Sequence, residues 1–260
     1  MKFFGFKPPS ILDSGVYASL LSLQLTNKRN IEFSMLDSIR ERKAKSFITL
    51  NPHSVIEACK SRHTGNAYLG GDFFFSDGIG YSLGYRLLNG FWPKRLSGRQ
   101  IYSEVLRICA FHNLKLLLLG GTGHSIVALK HRILKNYDIH VDALELPFFN
   151  SDEVECSYDL FDEIISKDPV VVLVFMTAPK QEIFSHKLKL KAELANKTLM
   201  IFNLGAVLDF ELGLKRSAPR FVQKFGLEWV FRTITDWTHV SPRLSSVALF
   251  LKMLFLKSEK

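Results

Sequence analysis

One run of residues constrains the fold of this chain more than any other: VVVLVFM, from Val170 to Met176. Seven consecutive apolar residues, four of them Val, fit a strand that is buried on both faces, as in a parallel sheet. The chain then changes abruptly to TAPKQE, from Thr177 to Glu182. In open α/β sheets, ligands bind where buried strands end and helices begin. The stretch therefore predicts a parallel sheet with a ligand site at its edge.

Further apolar runs alternate with helical patterns along the chain. We predict strands at Ser46–Leu50, Asp72–Ser76, Lys115–Leu119, Ile139–Leu144, Val170–Met176 and Thr198–Leu204. The segment SGRQIYSEVLRICAFHN is typical of the helices between them, because its apolar residues share one face and Ser97 can cap its start. Alternating β and α elements indicate an α/β fold: a Rossmann-like, mostly parallel sheet with helices on both faces.

This alternation stops near Gly213. We therefore predict a Rossmann-like core over residues 1–213 and a basic, helical C-terminal appendage over residues 214–260. From Arg243 to Lys257, apolar residues recur at helical spacing over a face wider than an ordinary core stripe. The run is too short to span a bilayer. Two interpretations stay open: a helix that lies on an anionic membrane surface, or one that packs on its own domain or on a second subunit.

Composition narrows the classes of partner. Lys and Arg outnumber Asp and Glu by 34 to 25, a net charge of +9, which favours an anionic ligand or surface. Nucleic acid is not favoured, since the cations form no tail and no RNA-binding aromatic motif is present. Cys59, Cys109 and Cys156 are far apart and form no C-x-x-C motif, as expected in a reducing compartment. The N-terminus does not have the pattern of a signal peptide, and no run of 18 apolar residues exists.

Polar and small residues follow most of the predicted strands. Because parallel strands end at one edge, these clusters are expected to meet there. The set comprises Thr49 and Asn51, Asp77 with Gly78, Gly120 and Gly121, Lys180 with Gln181 and Glu182, and Asp209 after Gly205. Helix N-termini after Gly121 and Ala178 would offer N–H groups to a phosphate, with Lys180 and Arg95 adding positive charge. Asp77 would then be the carboxylate at this edge that acts as a base. No D-x-D pair is present to hold a divalent metal.

Each cluster also has a purely structural interpretation. The glycines can simply permit tight turns, Asp77 can be a turn residue, and Thr177 can cap a helix that begins near Pro179. A dinucleotide-dependent oxidoreductase is a further alternative, with Glu145 holding a ribose, although Ile126 occupies the position of the third fingerprint glycine. A non-catalytic membrane-surface binding protein is the other alternative.

Seven motifs in a fixed order resemble one known family. They are Thr49-x-Asn51, Asp77-Gly78-x-Gly80, Arg95-x-x-Gly98, Leu119-Gly120-Gly121, Pro179-Lys180-Gln181-Glu182, Gly205-Ala206-x-x-Asp209 and Gly226-Leu227-Glu228-Trp229-x-x-Arg232. Together these motifs, from about Phe47 to Arg232, resemble bacterial glycosyltransferases of the WecG/TagA/CpsF type. The order is specific, whereas each motif alone is weak.

The resemblance implies an inverting glycosyltransferase that moves a sugar from a UDP-sugar to a polyprenyl-diphosphate-linked saccharide during cell-surface polysaccharide synthesis. It implies a peripheral enzyme on the cytoplasmic face of the membrane that needs no metal or other cofactor. Asp77 then corresponds to the general base. Donor or acceptor ligands would include Thr49, Asn51, Arg95, Gly120, Gly121, Lys180, Gln181, Glu182 and Asp209, with Arg232 reaching the diphosphate from the appendage. The sugar, the acceptor saccharide and any homo-oligomer are left open.

The chain departs from the family pattern at three places. Gln100 stands where an acidic residue is usual, Arg216 is one position out of register, and His239 and Arg243 replace the expected arginines of the appendage. The roles of the appendage residues are therefore less constrained than the role of Asp77.

Overall fold

A computed structural model of the chain describes residues 12–147, 158–216, 218, 219, 222, 231 and 240–258. Its sheet has six strands, all parallel, in the order β2-β1-β6-β5-β3-β4. The strands are β1 Ala44–Leu50, β2 Phe73–Ser76, β3 Leu116–Gly120, β4 Val141–Leu144, β5 Val171–Phe175 and β6 Leu199–Asn203. All six predicted strands are confirmed, and their ends move by no more than a few residues.

Helices flank both faces of this sheet. Those before β3 are α1 Ser14–Leu21, α2 Lys28–Arg40, α3 Pro52–Cys59, α4 Arg62–Leu69, α5 Ile79–Asn89 and α6 Gly98–Phe111. The later ones are α7 Gly123–Asn136, α8 Tyr158–Ser166, α9 Lys180–Leu194, α10 Val207–Glu211 and α11 Val240–Ser258. The predicted α/β class is therefore confirmed. Ser97 caps α6 as predicted, and Gln100 completes a capping box by accepting from Ser97 N at 2.9 Å.

An aromatic ladder ties together the three strands on one side of the sheet. Phe47 of β1 stacks on Phe73 of β2 with ring centroids 4.7 Å apart, and on Phe202 of β6 at 4.1 Å. Both neighbours are its register partners in the adjacent strands. Such cross-strand aromatic pairs stabilise a sheet beyond simple burial. The ladder therefore links β2, β1 and β6 across the width of the sheet.

The C-terminal helix α11 packs on the core. Phe250 is fully buried against Tyr17 of α1 and Tyr81 of α5, and Tyr17 Oη donates to Phe250 O at 2.8 Å. Ser246 and Leu254, four residues to either side of Phe250, are buried as well. The interpretation of α11 as a helix that packs on its own domain is therefore confirmed for this face. A membrane contact by the rest of the appendage stays a prediction.

Among the described residues, no helix is both long enough and apolar enough to cross a bilayer.

Candidate functional site

The parallel sheet brings the predicted site residues to one edge. The ends of β2 and β1 are adjacent: Leu50 and Ser76 are register partners, and Asp77 N donates to Leu50 O at 2.9 Å. Asp77 and Asn51, which directly follow these two residues, therefore lie side by side. Gly78, with φ of 78°, turns the chain into α5 through a backbone conformation that favours glycine. The Asp77-Gly78 pair is thus both a turn and the start of a helix.

Asn51 is held rigidly by the start of α3. Its Oδ1 accepts from Ser54 N at 3.0 Å, while Asn51 N donates to Ser54 Oγ at 2.8 Å. This reciprocal pair is a capping box. Gly80, near the start of α5, lies so close to Pro52 of α3 that an added Cβ would come within 2.8 Å of the proline ring. The two helix starts beside Asp77 are therefore packed directly against each other.

Arg95 reaches the same place from another loop. It forms an isolated parallel bridge with Ser76, and Leu96 N donates to Ser76 O at 2.9 Å. A Cβ added at Gly98 would lie 3.0 Å from Val207 and 3.5 Å from Leu204 O. The motif Arg95-x-x-Gly98 therefore runs from the end of β2 to the segment that follows β6. The structure brings Asp77, Asn51 and Arg95 together, with Thr49 on the adjacent strand.

The glycine loop lies farther along the edge. Gly120 has φ of 102°, and a Cβ there would come within 2.7 Å of Phe175 O, so only glycine fits against β5. The strand order places β3 four strands away from β2, or about 19 Å at typical strand spacing. Gly120 and Gly121 therefore do not touch Asp77, and a single ligand that reaches both must lie extended along the edge.

The start of α9 lies between these two groups, because β5 and β6 separate β3 from β1. Lys180 is the first residue of α9 and is half-buried. Pro179 is the N-cap of the helix, and no side-chain capping bond forms there, so the alternative in which Thr177 caps α9 is not what the structure shows. The neighbouring Gln181 is buried: its Oε1 accepts from Gly205 N at 2.9 Å, and its Nε2 donates to Glu182 Oε1 at 2.7 Å.

Glu182 is buried inside the protein with 1% of its surface exposed. Burial raises the pKa of its carboxyl to about 7. Glu182 Oε2, Tyr68 Oη and Asn203 Nδ2 are buried here without a hydrogen bond of good geometry to any described residue, although Tyr68 lies close enough to Glu182 to act against the rise of its pKa. Ser185 Oγ donates to Asn203 Oδ1 at 2.5 Å. Gln181 and Glu182 thus support the Gly205 turn from beneath the edge, and their direct contact with a substrate stays a prediction.

Two more predicted residues have different outcomes. Asp209 lies on α10 after Gly205, where its Oδ2 forms an ion pair with Lys215 Nζ at 2.6 Å. Its predicted contact with a ligand is not tested by this pairing. Arg232 lies outside the described residues, as do Gly226 to Trp229 and His239.

Sequence reasoning missed Tyr68 and Ser185 altogether. Tyr68 lies on α4, more than 110 residues from Glu182, and its own burial raises its pKa well above 10, with the Glu182 carboxyl as the next cause. No local pattern links these residues, because only the packing of α4 on α9 brings them together. Within the described ranges, no three His, Cys, Asp or Glu side chains converge as a metal-ion site would require.

Comparison with known proteins gives a consistent result. A family model described as "Glycosyl transferase WecG/TagA/CpsF family" matches residues 19–260. An N-acetylglucosaminyldiphosphoundecaprenol N-acetyl-beta-D-mannosaminyltransferase of Bacillus spizizenii is 24% identical over 80% of this chain and 76% of its own. A Staphylococcus aureus protein of the same name is 27% identical over 78% of this chain and 77% of its own.

Proposed function

The chain belongs to the WecG/TagA/CpsF glycosyltransferase family, and on that basis we propose that it transfers a sugar from a UDP-sugar to a polyprenyl-diphosphate-linked saccharide. The observation that carries the proposal is the convergence of Asp77, Asn51 and Arg95 at the ends of β2 and β1. The similar proteins of Bacillus spizizenii and Staphylococcus aureus are named as transferases that use such a lipid-linked acceptor.

The proposed reaction is a single displacement with inversion. The acceptor hydroxyl oxygen attacks the anomeric carbon of the donor while its proton passes to the Asp77 carboxylate. The bond from that carbon to the β-phosphate oxygen breaks, and UDP leaves with the bonding electrons. Asn51, held by its capping box, and Thr49 would orient the reacting sugars next to Asp77. A β-linked product, as in the names of the relatives, is what inversion gives from an α-linked donor.

The donor would lie extended along the edge. Arg95 near Asp77 and Lys180 at the start of α9 supply positive charge where a diphosphate forms and departs. The backbone of Gly120 and Gly121, about 19 Å from the end of β2 by strand spacing, would receive the far end of the nucleotide. Gln181 holds the Gly205 turn between them. In this scheme Gln181 and Glu182 are positioning residues, while Asp209 and Arg232 remain proposed ligands.

The oxidoreductase alternative has less support. Ile126 is a buried side chain of the core cluster at the position where that fingerprint uses a glycine for close helix–strand packing. Glu145 does lie beside the glycine loop, within 2.6 Å of a Cβ added at Gly123. Titration with NADH and with UDP, followed by fluorescence, would separate the two: we expect UDP alone to bind at micromolar to low millimolar concentrations.

The test of the proposed function is a transfer assay with the full chain. A panel of UDP-sugars, beginning with UDP-N-acetylmannosamine, is incubated with a short-chain prenyl-diphospho-N-acetylglucosamine, and the product is identified by mass spectrometry. We expect UDP release that requires the acceptor and a product heavier by one sugar residue. If no UDP-sugar of the panel gives a glycosylated acceptor, the proposal is wrong.

A further inference from the structure

Helix α5, which begins two residues after Asp77, has one buried face and one exposed apolar face. The buried face includes Tyr81, Ser82, Gly84 and Tyr85. The exposed apolar residues are Ile79, Leu83 and Leu87, followed after the helix by Phe91 and Trp92, and each is between 37% and 59% exposed. The first three are spaced four residues apart and so lie along one line of the helix. We call these five residues the α5 stripe.

The segment that carries the α5 stripe has charged side chains of one sign. Between Asp77 and Glu104 the sequence contains no Asp or Glu; Arg86 and Lys94 are exposed, whereas Arg99 is paired with Glu211 at 2.9 Å. Another exposed apolar pair, Phe33 and Phe111, lies among charges of both signs, because nearby Arg107 forms ion pairs with Glu32 and with Glu104. Apolar side chains flanked by exposed cations such as Arg86 and Lys94 are complementary to an anionic lipid surface.

The end of the stripe has the side chains that favour a lipid interface. The Arg86 guanidinium lies over the Trp92 ring, 5.1 Å from its centroid. Trp and Arg both combine an apolar body with a polar end that prefers the headgroup level. Phe91 packs edge-on against Tyr85 at 5.5 Å, so its ring is anchored although more than half of it is exposed. The aromatic end of the stripe is therefore ordered without being covered.

The position of the stripe fits the substrate. α5 has 11 residues, so it is about 16 Å long, with Asp77 at one end and Trp92 just beyond the other. In the proposed acceptor only a saccharide and a diphosphate separate the reacting hydroxyl from the lipid chain. A catalytic base for that hydroxyl must therefore stay near the membrane surface. On its other side α5 packs against Phe250 of α11, since a Cβ added at Gly84 would meet that ring at 2.7 Å.

We propose that the α5 stripe is the surface with which this protein docks on the anionic membrane that carries its acceptor. This proposal rests on the proposed function, because a lipid-linked acceptor is the reason for the protein to be at a membrane. It differs from docking by α11, because Phe250 and Leu254 of that helix are already buried in the core.

The test compares two pairs of leucines with the same spacing. Leu83→Gln/Leu87→Gln changes the stripe, while Leu190→Gln/Leu194→Gln changes α9, where the two side chains are 45% and 82% exposed. Each full-length variant is sedimented with vesicles of phosphatidylcholine alone and with vesicles containing 30% phosphatidylglycerol. We expect the stripe variant to bind anionic vesicles at least about tenfold more weakly than the unmodified chain, and the α9 variant to bind equally well.

Melting curves show whether both variants fold. If Leu83→Gln/Leu87→Gln does not fold, the single variant Leu87→Gln is used in its place. Transfer to an acceptor embedded in the vesicles should fall with binding, whereas transfer to the short-chain acceptor in solution should be unchanged. If the unmodified chain transfers no sugar in either assay, the proposed function is refuted. The measurement of vesicle binding still tests the docking proposal in that case. Equal vesicle binding by all three proteins would overturn the docking proposal. The docking proposal would also be overturned by a second result. In that result, light scattering shows that the unmodified chain is a dimer, and the stripe variant no longer forms the dimer but still binds vesicles.

Discussion

Asp77 is the residue with the most specific predicted role. Its backbone N–H is bonded to Leu50 O, so the adjoining strand ends fix the part of the backbone that carries the side chain. Asp77→Asn keeps the size of the side chain and removes the base. We expect kcat to fall by about 10²- to 10⁴-fold with an unchanged melting temperature, measured as UDP release under saturating donor.

The control for Asp77 is Asp209→Asn, because Asp209 is a carboxylate of the same edge that is paired with Lys215. Because Asp209 is a proposed substrate ligand, Asp209→Asn should raise KM more than it lowers kcat. Turnover by Asp77→Asn within a factor of a few of the unmodified chain would contradict the assignment of the base.

Glu182 makes the stability of the protein depend on pH. Burial raises its pKa from 4.5 to about 7, so between these values the folded protein holds a proton that the unfolded chain has released. The contribution of this group is therefore fully present below pH 4.5 and is lost as the pH rises through 7. A rise of the pKa from 4.5 to about 7 corresponds to a stability contribution of about 3 kcal/mol.

Glu182→Gln removes this titration while keeping an oxygen for Gln181 Nε2. The free energy of unfolding is measured by urea titration at pH 5 and at pH 7.5. We expect it to decrease less between these two pH values in the variant than in the unmodified chain. Other titrating groups are shared by both proteins and cancel in the comparison. An identical pH dependence would show that the Glu182 pKa is not raised.

At the scale of elements, α11 is the part whose packing is most open to measurement. Phe250 is fully buried between α1 and α5, and Tyr17 Oη donates to its carbonyl. Phe250→Ala should lower the free energy of unfolding by about 3–5 kcal/mol, because it leaves a cavity among aromatic rings. Urea unfolding gives the energy, and limited proteolysis shows whether α11 is released.

Lys252→Ala on the same helix is the matched control, since Lys252 is exposed and the change should cost less than about 0.5 kcal/mol. If Phe250→Ala and Lys252→Ala have the same free energy of unfolding, the packing of α11 on the core does not stabilise the protein in solution.

At the scale of the whole molecule, the balance of charge bears on metal use. The chain has a net charge of +9, and Arg95 and Lys180 lie at the edge where the diphosphate of the donor is expected. Cations of the protein can then offset the charge that develops on departing UDP, in place of a divalent ion. We predict that EDTA leaves the rate of transfer unchanged within twofold and that Mg²⁺ or Mn²⁺ adds nothing. Activity that EDTA abolishes and Mn²⁺ restores would contradict this prediction.

The amino-acid sequence by itself determined the six strands and the polar residues that follow them. Each strand is a local apolar run, and local runs can be recognised without knowing their neighbours. Parallel strands must end at one edge, so Asn51, Asp77, Gly120 and Lys180 could be assigned to the same edge in advance. Ser97 was likewise recognisable as a cap, because capping depends on residues within one turn.

Only the tertiary structure decided which of these residues are neighbours. The order β2-β1-β6-β5-β3-β4 places Asp77 beside Asn51 and four strands away from Gly120, and it depends on crossovers that leave no local pattern. The burial of Glu182 near Tyr68 and the packing of Phe250 on α5 depend in the same way on contacts between distant segments. Hydrophobic periodicity indicates which face of a helix is covered, but the element that covers it is chosen by the packing of the whole chain.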